Sequence, residues 1–255
     1  MSAQNTTNWI RIGLFALPIS GVLLAWSSLD PQPDQTKDPE AWARFVGSSY
    51  YLLSHVFGSI GSALLAIFGV FALGAYLANG RTGRLGLVAM DVTVVGQALS
   101  LVIGGVSTFA SNAIGRAYLA GTEDVMRLEF PAAMAVLFGL AILLLVVGNV
   151  LLGVGVWRSG TLPKWAGAIW VGSALLFYVL GAVLGMATTG SSLLTQPVSG
   201  LLMVIGGGWI AFSALRRPSV EMAGARAPTE GAVANLRSFV TPPYRHEHGD
   251  LRFAD

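Results

Sequence analysis

The chain contains no cysteine. That excludes disulfides, thiolate metal centres and cysteine nucleophiles, and it leaves the redox compartment open. Charge is scarce as well: Asp, Glu, Lys and Arg together make up 11% of the residues, whereas a soluble domain carries about one quarter. A water-soluble protein of this size cannot cover its surface with so few charges. The formal net charge is only +2, so no strong field draws the chain to nucleic acid. Also missing are a Walker loop, an HExxH zinc motif, a GxSxG elbow and a dinucleotide fingerprint. No pair of acids within the apolar segments has a histidine in reach. Nothing argues for an enzyme, and no cofactor or metal is named by the residues.

What the chain has in abundance is apolar residues, 54% of the total, and glycine, at 32 residues. A membrane-crossing helix needs about 20 mostly apolar residues, because the hydrocarbon layer is about 30 Å thick and each residue rises about 1.5 Å. Six segments qualify: 10–29, 52–78, 85–110, 131–157, 164–189 and 192–215. The expectation is an all-α, polytopic membrane helix bundle over residues 1–217, with the lipid bilayer as its solvent. Pro18 and Pro197 fall inside the first and last segments, where neighbouring groups can satisfy the freed carbonyls. The first segment has no small-residue cleavage site after it and reads as a retained helix rather than a signal peptide. Residues 218–255 are rich in Pro, Gly and charge and read as a disordered cytoplasmic tail.

The connections alternate in charge. Arg81 and Arg84, then Arg158 and Lys164, then Arg216 and Arg217 lie on one side, and Arg11 joins them. Lys37, Arg44, Arg116 and Arg127 lie on the other, among most of the acids. Orientation follows basic residues near the helix ends, so both termini are expected in the cytoplasm. Trp9, Trp157, Trp165 and Trp209 fit an inner aromatic belt, and Trp26 and Trp42 an outer one. Between the first two segments, Asp38-Pro39-Glu40 has the chemistry of a helix start. Trp42, Phe45 and Val46 then share one face, which suits a short helix on the outer membrane surface.

Burying leucine does not drive helices together in lipid; close approach through small residues does. Ser54, Gly58, Ser62 and Ala66 recur every fourth residue in the second segment, and Gly96, Ser100, Gly104 and Thr108 do so in the third. Such stripes are expected to be helix–helix seams, with a pore lining as the other reading. The turn Trp157-Arg158-Ser159-Gly160-Thr161-Leu162-Pro163-Lys164-Trp165 places Thr161 where it can cap, Pro163 in a first helical turn, and Lys164 and Trp165 at an interface. This turn resembles one in small prokaryotic multi-pass membrane proteins grouped under a domain of unknown function. The resemblance implies a prokaryotic plasma membrane and a similar number of spans, and it brings no activity with it.

Asp91 is the one acid clearly inside a segment, and an intramembrane charge costs at least about 2.5–3.5 kcal/mol. Asn149 and Ser173 fall at a similar depth, so these three can form one polar cluster, either a proton or solute site or a purely structural one. Gln97 sits deeper in the third segment, as interhelical glue. His55, beside Tyr50 and Tyr51, is a weak candidate to ligate haem or a pigment. His246 and His248 form a His-Glu-His in the tail. The functional expectation is a non-enzymatic accessory subunit of a membrane complex, partnered by other membrane subunits, or a small binding module. The alternative is a proton- or cation-coupled transporter or channel that uses the Asp91 cluster.

Overall fold

A computed structural model describes residues 3–189 and 194–216. The described residues form helices and their connections, with no strand, and all belong to one compact unit, Met1–Arg217. The tail over 218–255, with His246 and His248, lies outside the described residues.

The principal helices are α1 (Ala3–Gly13), α2 (Ala16–Ser27), α3 (Pro39–Val46), α4 (Ser49–Ala78), α5 (Gly83–Leu119), α6 (Ala132–Arg158), α7 (Lys164–Leu184) and α8 (Thr195–Leu215). Each of α4 to α8, together with the stretch Asn8–Ser27 that runs through α1 and α2, is long and apolar enough to cross a membrane. Six such helices fit a multi-pass integral membrane protein in contact with lipid. They pack in chain order, α2 on α4, α4 on α5, α5 on α6, α6 on α7, α7 on α8, and α8 back on α2. The result is a closed ring.

The first segment is broken rather than continuous. Pro18 has no N–H, and its ring collides with the carbonyl four residues earlier, that of Leu14. The chain yields at Leu14 and Phe15, where tighter bonds run from Phe15 N to Ile12 O (3.0 Å) and from Leu17 N to Leu14 O (3.1 Å). Pro197 causes no such break, because α8 starts at Thr195 and the proline falls in its first turn. The α5 helix is longer than expected, at 37 residues, or about 55 Å. Its extension past residue 110 is a shelf for α3. Asn112 Nδ2 donates to Val46 O at 2.7 Å, and a Cβ at Gly115 would lie 2.5 Å from Val46 Cγ2. Asp38 caps α3, accepting from Ala41 N at 2.9 Å, and Trp42, Ala43 and Val46 are buried with Tyr51. In the 158–164 turn the cap is not Thr161. Ser159 Oγ accepts from the backbone N–H groups of Thr161 and Leu162 at 3.2 and 3.0 Å. Gly160, at φ +69, takes a left-handed conformation that a side chain would strain.

We call the end bearing Arg81, Arg84, Arg158, Lys164 and Arg216 the basic end. Near it the ring is filled. Leu14, Leu17, Leu73, Leu77, Leu152, Val156, Trp170 and Ile210 form one buried core drawn from α2, α4, α6, α7, α8 and the α1–α2 break. Glycines set the helix spacing. A Cβ at Gly148 on α6 would lie 2.3 Å from Thr93 Oγ1 and 2.8 Å from Thr93 N on α5, and one at Gly200 on α8 would lie 2.6 Å from Ala25 N on α2. Towards the other end α5 and α6 part. Nothing lies within 4 Å of a Cβ placed at Gly104, Gly105 or Gly139.

These environments separate two glycine substitutions. Gly148→Ala forces α5 and α6 apart and is expected to cost about 1–3 kcal/mol. Gly104→Ala meets open space, and its gain in helix propensity, up to about 1 kcal/mol, is expected to leave it neutral or slightly stabilising. Thermal unfolding of the two variants in one detergent makes the comparison. Equal losses would contradict the described packing of α5 on α6.

Candidate functional site

Where α5 and α6 diverge, the ring encloses a cavity of about 380 Å³, room for about a dozen waters at their liquid volume. Its wall is mainly apolar, with polar groups set into it. Hydroxyls come from Ser27 and Ser28 of α2, Ser59 and Ser62 of α4, and Ser100, Ser107 and Thr108 of α5. Ala66, Gln97, Tyr178 and Met203 line it towards the basic end, and Asp30, Gln32 and Gln196 belong to the far mouth. Phe45 of α3 and Phe138 of α6 supply apolar surface there. The lining contains no Lys or Arg.

Two of the ring helices change winding where they meet this space. Ser54–Ile60 within α4 and Leu175–Leu184 within α7 are π-helical. Wider i→i+5 turns are uncommon and occur mostly at functional positions. The first brings His55, Ser59 and Ile60 to the wall, and the second brings Phe177 and Tyr178. His55 Nδ1 lies 3.0 Å from Tyr51 O, and the imidazole stacks on the Tyr51 ring at 4.0 Å. Donation from Nδ1 to that carbonyl leaves the Nε2 lone pair free to accept a proton or a hydrogen bond. Across the cavity, Gln97 Nε2 stands 3.5 Å from Tyr178 Oη, a long contact that leaves both groups able to take another partner. A haem or metal centre would need more ligands than His55. Among the described residues no group of three His, Cys, Asp or Glu side chains converges.

Of the three residues set level by sequence depth, rotation about its helix separates Asp91 from Asn149 and Ser173, and from the deeper Gln97 as well. Thr93 and Gln97 face the bundle interior and are buried. Asp91 lies two residues from Thr93, about 200° around the helix. It is exposed and takes no part in the ion pairs of the described residues. Asn149 and Ser173 belong instead to a closed chain through α6, α7 and α8. Asn149 Nδ2 donates to Leu145 O at 2.7 Å, and Trp170 Nε1 donates to Asn149 Oδ1 at 2.9 Å. Ser173 Oγ donates to Trp170 O at 2.7 Å, and Ser199 Oγ donates to Ser173 O at 2.8 Å. Trp170 is the member that depth alone missed. Its signal is an indole N–H in an apolar helix, which must find an acceptor when buried.

The small-residue stripes also divide. On α4, Ser54 bonds within its own helix to Tyr51 O. Gly58 lies under Ser27, Ser62 Oγ donates to Ser20 O of α2 at 2.8 Å, and Ala66 is buried. On α5, Gly96 lies against Leu145 of α6, while Ser100, Gly104 and Thr108 line the cavity. So the second stripe is a seam at one end and a cavity wall at the other.

At the mouth, the loop from Asp30 to Asp38 is held by Asp34. Its Oδ1 accepts from Thr36 Oγ1 at 2.7 Å and from Thr36 N at 2.9 Å, and its Oδ2 pairs with Lys37 Nζ at 3.0 Å. These bonds hold the carboxyl well below the ordinary carboxylate range, with the Thr36 hydroxyl the largest cause. Arg44 pairs with Glu40 on α3.

No family model matches the chain, and neither a curated protein nor a solved structure does.

Two outcomes follow from these contacts. Trp170→Phe strands the buried Asn149 Oδ1 and is expected to cost about 1–3 kcal/mol, whereas Asp91→Asn, on an exposed face, is expected within about 0.5 kcal/mol of the parent. Thermal unfolding of both variants distinguishes them, and the reverse order would overturn the assignment. For Asp34, a depressed pKa means the contribution is present above the ordinary value of 3.8 and is lost as pH falls below it. The stability gap between the parent and Asp34→Ala should therefore be full near neutral pH and narrow in acid.

Proposed function

We propose that the chain is a non-enzymatic membrane binding protein whose ligand is a small uncharged or cationic amphiphile held in the α2–α4–α5–α7 cavity. The observation that carries this reading is a cavity inside the ring whose mainly apolar wall also presents hydroxyls, amides and one imidazole, with no cationic side chain in its lining. A phosphate or carboxylate would find no counterion there, and Asp30 at the mouth favours a cation over an anion. At about 380 Å³ the space sits at the low end of small-molecule sites, about 300–1,000 Å³. Beside it, α6 leaves the ring: residues 135–140 are exposed to the bilayer side. A ligand with an apolar part can project through that gap while its polar part meets Gln97, Tyr178 and His55.

This keeps the binding-module half of the sequence expectation. An accessory subunit calls for closed packing and an extended apolar or aromatic lateral face held by a partner; the open volume beside the α5 stripe favours the binding module. The transporter alternative called for a cavity reaching Asp91. Gln97 is the α5 lining residue nearest Asp91 in sequence, and Asp91 is exposed on another side of that helix. With the basic end read as cytoplasmic from its Lys and Arg residues, the cavity opens to the outside.

The absence of native cysteine makes the test direct. Gly104→Cys in intact cells should react with a membrane-impermeant maleimide, and Ala89→Cys, in the packed core, should react only after unfolding. Failure of Gly104→Cys to react from either side would sink the wet cavity. Reaction only in inverted vesicles would reverse the orientation and leave the cavity standing.

A further inference from the structure

Arg11 is the only buried Asp, Glu, Lys or Arg among the described residues, at 6% exposure. It lies in the last turn of α1, which packs on α4 and α8. Its height in the bundle is fixed by its neighbour Gly13, where a Cβ would lie 3.0 Å from Ala72 Cβ. Ala72 is six residues from the end of α4, so Arg11 lies about 6 Å inside the basic end by helical rise.

No described residue neutralises it. Arg11 Nε is fully buried and has no hydrogen-bond partner, and Arg11 joins none of the ion pairs of the described residues. Its two terminal nitrogens are not among the fully buried unpartnered atoms. The stem and Nε are therefore enclosed while the fork reaches the surface. The helices on either side each run into cations, α4 into Arg81 and Arg84 and α8 into Arg216. A guanidinium withdrawn from water is costly unless an anion shares its hydrogen bonds, and the described ends of both flanking helices add charge of the same sign.

We infer that Arg11 anchors a binding site for a phosphate-bearing anion at the basic end, with Arg81, Arg84 and Arg216 supplying the surrounding positive potential. A guanidinium fork meets two phosphate oxygens at once, which an ammonium cannot, and basic pockets between membrane helices take lipid headgroups in this way. The phosphate can come from an anionic lipid or from solution. The site is independent of the cavity, which opens at the other end.

The test uses the full-length protein in nanodiscs. Thermal stability is followed as phosphatidylglycerol replaces phosphatidylcholine, and separately as inorganic phosphate is titrated into phosphatidylcholine discs. The parent is expected to be stabilised in at least one series. A response to phosphatidylglycerol alone identifies the lipid headgroup, and a response to inorganic phosphate identifies a free anion. Arg11→Gln is expected to weaken the apparent affinity about tenfold or more, the scale of a lost charge-assisted pair. If Arg11→Gln does not fold, Arg11→Lys decides the matter, with an expected loss of several fold because the fork is gone. No response of the parent to either anion, or a response unchanged in Arg11→Gln or Arg11→Lys, would overturn the site.

Discussion

The contact between α5 and α6 at Gly148 and Gly96 governs the rest of the architecture. Lipid offers no hydrophobic reward for pressing these helices together, so their spacing is set by how closely the backbones can approach. At Gly148 the approach is so close that a single methyl would overlap Thr93. Held there, both helices are rigid rods, and their paths beyond the contact are determined by the crossing. One direction leads into the core around Leu152, Trp170 and Leu73. The other leads to the gap where Gly104, Gly105 and Gly139 meet nothing. The filled end and the open end are two consequences of one crossing.

Polar groups in this chain fall into two classes with different physical meaning. Asn149, Trp170, Ser173 and Ser199 satisfy one another or a nearby carbonyl. Such a chain stabilises a helix arrangement and has nothing left to offer a ligand. The polar groups of the cavity are different: Ser27, Ser28, Ser62 and Ser107 donate to backbone carbonyls but keep acceptor lone pairs, and Gln97 and Tyr178 share one long contact. A polar group kept unpaired in a membrane costs free energy unless water or a ligand meets it. Asp91 belongs to neither class. Facing outward near the basic end, it can turn towards the headgroup region, which is a cheaper solution than burial.

The helical content and the number of spans were legible because the bilayer imposes a length and an apolar composition that few sequences meet by chance. The α3 cap was legible for a local reason, since Asp38-Pro39-Glu40 acts within four residues. What was not legible depended on angle and on partners. Depth along a helix can be counted, and it set Asp91 level with Asn149 and Ser173. Facing direction depends on which side of α5 meets α6, and that side is chosen by Thr93, Gly96 and Gln97 rather than by Asp91. The extension of α5 through Leu119 was hidden similarly. Residues 111–119 are too polar for a span, and they are helical because α3 covers Asn112 and Gly115. The π-helical stretches at Ser54–Ile60 and Leu175–Leu184 have no sequence marker that periodicity detects.

The asymmetry between the two ends constrains what the cavity can do. For a ligand to leave through the basic end, the core would have to part along its whole depth. Leu73, Leu77, Leu152, Trp170 and Ile210 are each at 2% exposure or less. Wetting such side chains costs about 1.5–3 kcal/mol apiece, so opening that end costs on the order of 10 kcal/mol before any hydrogen bond is broken. No such barrier stands on the other side. The mouth is framed by the Asp30–Asp38 loop and by α3, which are held by a cap, an Asp34-centred turn and the Asn112 bond to Val46. Each contributes about 1 kcal/mol, so this frame can rearrange at a small fraction of the cost of the core. A molecule that enters the cavity in this conformation therefore leaves by the same mouth.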